Sequence, residues 1–525
     1  MLGNLSFLPC ISIFLFVILR LKYNLHMLQL NSYRNKRFFT FLSRNKKKIL
    51  DFDFIFPFVF LIIGFFRNDL WLNIGVTILI ILASFSKDKN PPAKKELVYT
   101  SRIKRLITTV CIIFLILTGL CVLFVFKNNI TAVKIITLAA GILAFFNYLS
   151  LILANIINMP VEKCIAKYYI NDAKKIISNS KVKVIGITGS YGKTTTKYIL
   201  EKFLSQKYNV LKTPGNLNTA LGVTRTIREM LSSTHDIFIC EMGAKQKGDI
   251  KEICDIVHPD YAVISSIGYQ HLETFKSIDN IINTKFELVD SLNDSGIAFL
   301  NGDNEFIQNH KTNKKIFYFG ISDSNDCRCE DIIYNSSGCS FTYINKNVKI
   351  PIKTGLLGYN NITNIAGAIS ISLELGVSEE DIRFAAANLK PPEHRLAINR
   401  ISENLTIIDD AYNSNPMGSA CALDVLKGFP GTRIVITPGM IELGQRQYDE
   451  NFILGQNAAK SCDIAILVGE KQTIPIFDGL IKENFPKENI IVVSDVNKAF
   501  EIMYNICKEK NCSVLIENDL TDDYI

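Results

Sequence analysis

Gly186-Ile-Thr-Gly-Ser-Tyr-Gly-Lys-Thr-Thr-Thr196 follows an apolar run and precedes a helical one. That is the setting of a phosphate loop. Closely spaced glycines let backbone N–H groups wrap an anion, and the helix that follows adds the positive end of its dipole. Gly189, Ser190, Gly192, Lys193, Thr194 and Thr195 therefore read as nucleotide-binding positions. Lys193 suits the β- and γ-phosphates, and the Thr194 hydroxyl suits a Mg²⁺ ion. The spacing departs from the usual Walker A pattern. The position five before Gly192 is Ile187, and the glycine sits one residue earlier, at Gly186.

Around this loop, short β-branched runs alternate with helical stretches, which predicts a parallel α/β sheet. The runs are 182–187, 236–240, 261–265, 297–300 and 316–319. A second series follows at 405–408, 433–437, 464–468, 490–493 and 513–516, predicting a second, Rossmann-like α/β domain. Between them, Leu389-Lys-Pro-Pro-Glu-His-Arg-Leu396 reads as an interdomain hinge. The run Asp236-Ile-Phe-Ile-Cys-Glu-Met-Gly243 ends a strand on a carboxylate. Strand ends at the C-terminal edge of such sheets face the ligand crevice, so Glu241 is a candidate to complete a Mg²⁺ shell.

The first 160 residues differ in kind. They hold 19 Lys/Arg against 5 Asp/Glu, whereas the remainder holds 39 against 45. They are also the apolar part of a chain whose mean hydropathy is +0.19. Apolar stretches at 5–19, 54–66, 70–85, 106–126 and 135–157 predict about five membrane helices. The stretch at 54–66 is shorter than a comfortable span. The connectors at 22–53 and 86–105 are strongly basic, and the other two carry one cation each. The positive-inside rule then places the basic connectors, and everything after the last helix, in the cytoplasm. The composition suits a multi-pass cell-membrane protein and excludes a disordered chain or a nucleic-acid binder. The expected division is a transmembrane helical region at 1–160, a central P-loop domain at 161–392 and a C-terminal domain at 393–525. Thirteen cysteines without a CxxC pair read as reduced thiols, not a disulfide frame or zinc site.

Further motifs occur in a fixed order. They are Thr213-Pro-Gly-Asn-Leu-Asn-Thr-Ala-Leu-Gly222, Glu241-Met-Gly-Ala244, Ile267-Gly-Tyr-Gln-His-Leu-Glu273, Thr284-Lys-Phe-Glu287, Asn301-Gly-Asp303, Leu357-Gly-Tyr-Asn-Asn-Ile-Thr-Asn364, His394-Arg-Leu396 and Asp409-Asp-Ala-Tyr-Asn-Ser-Asn-Pro416. With the phosphate loop, this set resembles the Mur ligase family, most closely its type that adds D-alanyl-D-alanine to UDP-MurNAc-tripeptide. The resemblance covers about residues 180–470.

The resemblance implies roles for matching positions. Lys193 and Thr194 would hold the ATP triphosphate and a first Mg²⁺, with Glu241 as a ligand. His271 would help hold a second Mg²⁺. Lys285 matches a lysine that becomes carbamylated, turning an amine into an anion able to ligate metal. Asn361 would contact adenine, while Arg395 and Asp410 would close over ATP from the C-terminal domain. Lys193, Lys285, His271 and Arg395 would carry the catalysis. Asn216, Asn218, Asn413 and Asn415 would face substrate. The implied reaction is ATP-dependent amide formation on a peptidoglycan precursor through an acyl phosphate, with D-Ala-D-Ala as amine.

The departures matter. Thr219 replaces a common Asn, Asn360 a His and Ala411 a Ser. The family's domain for the UDP-sugar is missing, and apolar helices stand in its place. An alternative is therefore a related ligase acting on another, lipid-linked carboxylate. An ATP-driven transporter is a remoter one, since there is no LSGGQ-like signature and the motifs after the phosphate loop would go unused.

Overall fold

The computed structural model describes residues 8–44, 54–67, 70–85, 96–346, 348–412 and 414–519. These fall into two compact units, divided between Lys167 and Tyr168.

The first unit is helical. Among the described residues, Ser101–Phe126 and Asn147–Ser178 are each long and apolar enough to cross a membrane. The pair Leu8–Arg20 and Lys22–Leu30, bent by 47°, adds a third if it acts as one span. Ile55–Phe66 and Leu70–Ser84 have 12 and 15 residues. At 1.5 Å per residue both fall short of a hydrocarbon core of about 30 Å. Two expectations are corrected here. The apolar stretch 135–157 is not one helix: Ile130–Phe145 ends at Phe146, and Asn147–Ser178 begins beyond it. The basic segment 22–53 is not simply a loop, because Lys22–Leu30 and Asn35–Arg44 are helical; residues 45–53 lie outside the described residues. Pro160, where the sequence pattern changes, sits inside Asn147–Ser178 and does not end that helix. Arg105 donates to Glu162 at 2.7 and 2.9 Å, tying Ser101–Phe126 to that long helix.

The second unit holds two sheets. The first contains β1 (Lys183–Thr188), β2 (Val210–Lys212), β3 (Ile237–Glu241), β4 (Tyr261–Ile264), β5 (Ile297–Asn301), β6 (Lys315–Gly320), β7 (Cys327–Asn335), β8 (Gly338–Asn345) and β9 (Val348–Thr354). Their order is β2-β3-β1-β4-β5-β6-β7-β8-β9. Pairing is parallel from β2 to β7 and antiparallel over β7-β8-β9. The period-two alternation of a strand buries both faces. Ile185, Ile187, Ile239 and Val263 pack on one side, and Val184, Phe238, Ala262 and Ile264 on the other.

The second sheet contains β10 (Ala397–Ser402), β11 (Leu405–Asp410), β12 (Thr432–Thr437), β13 (Ile464–Val468), β14 (Ile490–Val493) and β15 (Cys512–Glu517), in the order β10-β11-β15-β12-β13-β14. Only β10 runs antiparallel to its neighbour. The chain leaves β11 for β12, walks outward to β14 and returns to insert β15. The carboxyl ends of β11, β15 and β12 therefore form a crevice of the kind where open α/β sheets bind ligands.

Candidate active site

β1 delivers the phosphate loop to the carboxyl edge of the first sheet. Gly189 has φ +153°, and a Cβ there would run into Ser265 and Ser266. Ser190 N–H donates to the Ser266 carbonyl at 2.6 Å, and the Ser190 hydroxyl donates to the Gly268 carbonyl at 3.0 Å. Tyr191 N–H donates to Ser266 Oγ at 3.2 Å. The loop is thus braced by the segment after β4. Gly192 (φ +79°) is the cap of helix Lys193–Leu204, which aims its N-terminus at the loop.

Lys193 Nζ donates to the carbonyls of Gly189 at 2.7 Å and Ser190 at 3.0 Å, so its charge lies inside the loop's own curve. Burial lowers its pKa to about 8, Glu241 opposing and Arg395 assisting. The next residue, Thr194, donates its hydroxyl towards Glu241, 3.3 and 3.2 Å from the two carboxylate oxygens. Thr195 and Thr196 are buried, and the Thr196 hydroxyl meets Asn364 Oδ1 at 3.2 Å.

Glu241 ends β3 and is 1% exposed. Burial disfavours its charge, but Lys197 and Lys193, helped by Asn218, outweigh that and hold its pKa below the ordinary carboxylate range. Its own N–H donates to Thr213 Oγ1 at 3.0 Å. Thr194 and Glu241 together offer hard oxygen donors, which suits a Mg²⁺ ion that takes one carboxylate from the protein and the rest of its shell from phosphate and water. The donor set fits the metal that the family implies. Among the described residues, no three His, Cys, Asp or Glu side chains are grouped as a metal cage.

Lys285 lies on helix Ile278–Asp290 and is 3% exposed. Among the described residues no hydrogen bond or ion pair reaches its amine. Burial, and then the charge of Lys193, push its pKa well below the ordinary lysine value. Two residues on, Glu287 accepts from the N–H groups of Gly248 at 2.8 Å and Lys251 at 3.0 Å, pinning the helix that carries Lys285. His271 has a left-handed backbone (φ +53°), and its Nδ1 meets Glu442 of the second sheet's domain. Burial lowers the His271 pKa, and Glu442 partly offsets this. Lys193 is close enough to repel positive charge on either group.

The second domain brings its own cluster. Arg395 lies over the Tyr412 ring, 4.6 Å from its centre. Asp410 ends β11 and accepts from Leu396 N–H at 3.2 Å. Burial raises the Asp410 pKa to about 6 despite Arg395. Beside it in register stands Glu517 at the end of β15, wholly buried and bonded to the Ser414 hydroxyl at 2.5 Å. Burial and Asp410 hold Glu517 well above the carboxylate range, so this pair binds protons readily.

Lys193, Thr194, Glu241, His271 and Lys285 are brought together. Asn361 is buried near the start of helix Tyr359–Glu374, its Nδ2 donating to the Leu357 carbonyl at 2.7 Å. Of the four asparagines expected to face substrate, Asn216 is exposed. Asn218 instead donates Nδ2 to Glu241 at 2.9 Å. Asn415 caps helix Pro416–Lys427, its Oδ1 accepting from Gly418 N–H at 2.9 Å. Asn413 lies outside the described residues. Sequence reading missed Lys197, Glu442 and Glu517. Lys197 stands one helical turn after Lys193, and Glu517 ends a strand, so spacing and the strand-end rule pointed to both.

Residues 187–372 match the family model described as Mur ligase middle domain, and 394–516 the one described as Mur ligase, glutamate ligase domain. Together they cover more than half of the chain. Among curated proteins, it is similar to the UDP-N-acetylmuramoyl-tripeptide--D-alanyl-D-alanine ligase of Bacillus subtilis, 32% identical over 275 residues, 52% of this chain and 59% of that protein. The Escherichia coli protein of the same name is 31% identical over 294 residues, 55% of this chain and 65% of that one. The chain thus spans only 59% and 65% of these relatives' length. A crystal structure of MurF from Acinetobacter baumannii aligns with TM-score 0.62 and 26% identity, over 67% of this chain and 77% of that one. MurF ligase from Thermotoga maritima in complex with ADP aligns with TM-score 0.61 and 26% identity, over 67% and 80%.

Proposed function

This chain belongs to the Mur ligase family, and on that premise we propose that it is an ATP-dependent ligase joining D-alanyl-D-alanine to the peptide carboxylate of a muramoyl-tripeptide precursor. What carries the reading is the cluster of Lys193, Thr194, Glu241, His271 and Lys285 at one sheet edge, met there by Glu442 of the second domain.

The acceptor carboxylate attacks the γ-phosphorus of ATP, the bond to ADP breaks and an acyl phosphate forms. The donor amine then attacks the acyl carbon, inorganic phosphate leaves and the nitrogen loses a proton. Lys193 and the loop N–H groups neutralise charge on the phosphates, and Arg395 adds a cation from the second domain. Two Mg²⁺ ions would supply further charge neutralisation, one on Thr194 and Glu241 and one near His271 and Lys285. Lys285 is suited to carbamylation because burial, and then the charge of Lys193, favour the uncharged amine, the form that adds CO₂ and releases one proton. Asn361, Arg395 and Asp410 would enclose the nucleotide, and Asn216 and Asn413 would meet substrate. Movement about the 389–396 segment would exclude water from the acyl phosphate.

The domain roles follow: residues 1–160 as a multi-pass membrane anchor, 161–392 as the nucleotide domain and 393–525 as the donor domain, the last two cytoplasmic. Cysteines placed at Lys127 and Lys104 test the orientation, since only the first should be labelled from outside intact cells. The test of the activity is ADP release by the detergent-purified chain. It should need both D-Ala-D-Ala and a UDP-linked muramoyl-tripeptide. Release driven only by a lipid-linked acceptor would keep the ligase and change its acceptor.

A further inference from the structure

Lys197 is wholly buried, and no function so far has used it. It lies on the phosphate-loop helix one turn beyond Lys193. Its Nζ is 2.8 Å from Glu241 Oε2, between side chains that are 0% and 2% exposed. The same ammonium donates to the Gly215 carbonyl at 2.9 Å, in the loop that carries Asn216 and Asn218. Asn218 Nδ2 takes the other oxygen of Glu241 at 2.9 Å. Lys197 and Asn218 therefore each hold one carboxylate oxygen, and both oxygens lie within 3.3 Å of the Thr194 hydroxyl.

A buried ion pair is poor evidence of stabilisation, because desolvating two charges costs about as much as their attraction returns. Its effect here is on geometry. Held from two sides, a carboxylate 1% exposed has one orientation towards the Thr194 hydroxyl. We propose that Lys197 is a positioning residue: it holds Glu241 in one rotamer for the cation on Thr194, and ties that carboxylate to the 213–219 loop. The proposal rests on the ligase reading above. Lys197 does not touch the cation; it acts through Glu241, as groups behind metal ligands do.

The experiment measures Mn²⁺ binding to the complex of the full chain with ATP by electron paramagnetic resonance, and ATP binding in EDTA by calorimetry. Lys197→Met should weaken Mn²⁺ at least about tenfold, the scale for removing a group behind a ligand. ATP binding in EDTA should be unchanged. In a Glu241→Gln background, adding Lys197→Met should change nothing further, because the route runs through that carboxylate. Unchanged Mn²⁺ affinity in Lys197→Met overturns the proposal, as does a further drop in the double variant. If Lys197→Met fails to fold, the same Mn²⁺ titration of Lys197→Gln, which keeps a polar group but cannot hold both Glu241 and the Gly215 carbonyl, decides in its place, weaker binding supporting the proposal and unchanged affinity overturning it. Wild type that binds no Mn²⁺ with ATP would instead sink the ligase reading itself.

Discussion

Glu442 of the C-terminal domain meets Nδ1 of His271 in the central domain, and both residues have left-handed backbones, at φ +64° and +53°. Lys245 Nζ lies 3.9 Å from the same carboxylate, and four residues on from Glu442, Arg446 covers the Tyr269 ring at 4.0 Å. The loop after β12 thus docks on the segment after β4 that braces the phosphate loop. The second domain therefore touches the segment that holds the nucleotide loop in shape. Glu442→Gln should raise the KM for ATP on the order of tenfold, a coupling of about 1.4 kcal/mol, with the fold intact. Steady-state kinetics beside a thermal melt decides it. An unchanged KM would make the contact incidental.

Lys285→Ala should lower kcat by about 10²–10³, the scale for losing one preorganised charge at a reacting phosphate. ATP binding should survive, because Lys193, Thr194 and Glu241 remain. Short carboxylic acids should restore part of the rate by filling the place of the carbamate, and removing CO₂ should slow the wild type alone. Normal turnover by the Ala variant would end the carbamate role.

The Asp410–Glu517 pair sets a pH dependence of stability. The folded pKa of Asp410 is raised to about 6, so the folded state holds a proton that the unfolded chain has released. Stability from this proton is full in acid and is lost as pH rises through about 6. Asp410→Asn keeps an oxygen for the Leu396 N–H and removes the titration. The variant should gain stability relative to wild type as pH rises from about 3.8 to about 6, and the margin should level off above that. Parallel denaturation curves across that range would exclude the pair as its source.

Most parallel strands of both sheets were legible because β-branched runs bounded by polar turns carry the period of a buried strand; β2, three residues long, and the exposed antiparallel β10 were not read. β13 and β14 fall where the sequence puts them. The antiparallel β7-β8-β9 meander was not read, because its strands are half exposed and their alternation is diluted by polar residues, as in Cys327–Asn335. Lys193, Thr194 and Glu241 were legible because a loop and a strand end fix their backbones. The partners of Asn218 were not, since a long-range hydrogen bond leaves no periodic trace. Residues 135–157 misled for a related reason: hydropathy reports burial in an apolar medium, but not the break at Phe146 that divides two helices.

Asn415 carries two separable tasks. Its Oδ1 accepts from the Gly418 N–H at 2.9 Å and so caps helix Pro416–Lys427. That leaves both N–H groups of Nδ2 for a ligand, and an amide N–H pairs with a carboxylate such as the dipeptide terminus. Asn415→Asp keeps the capping oxygen and replaces the donor with a negative charge. It should melt like wild type, yet raise the KM for D-Ala-D-Ala by about tenfold or more, as expected when a donor facing a carboxylate is replaced by a like charge. Asn415→Ala should lose both, with about 1 kcal/mol of stability gone with the cap. Competition among D-Ala-D-Ala, D-Ala, L-Lys and D-Glu on one acceptor completes the test. The wild type should choose the dipeptide, and the Asp variant should lose that preference. An Asp variant with undiminished selectivity would confine Asn415 to capping the helix and leave donor recognition to other residues.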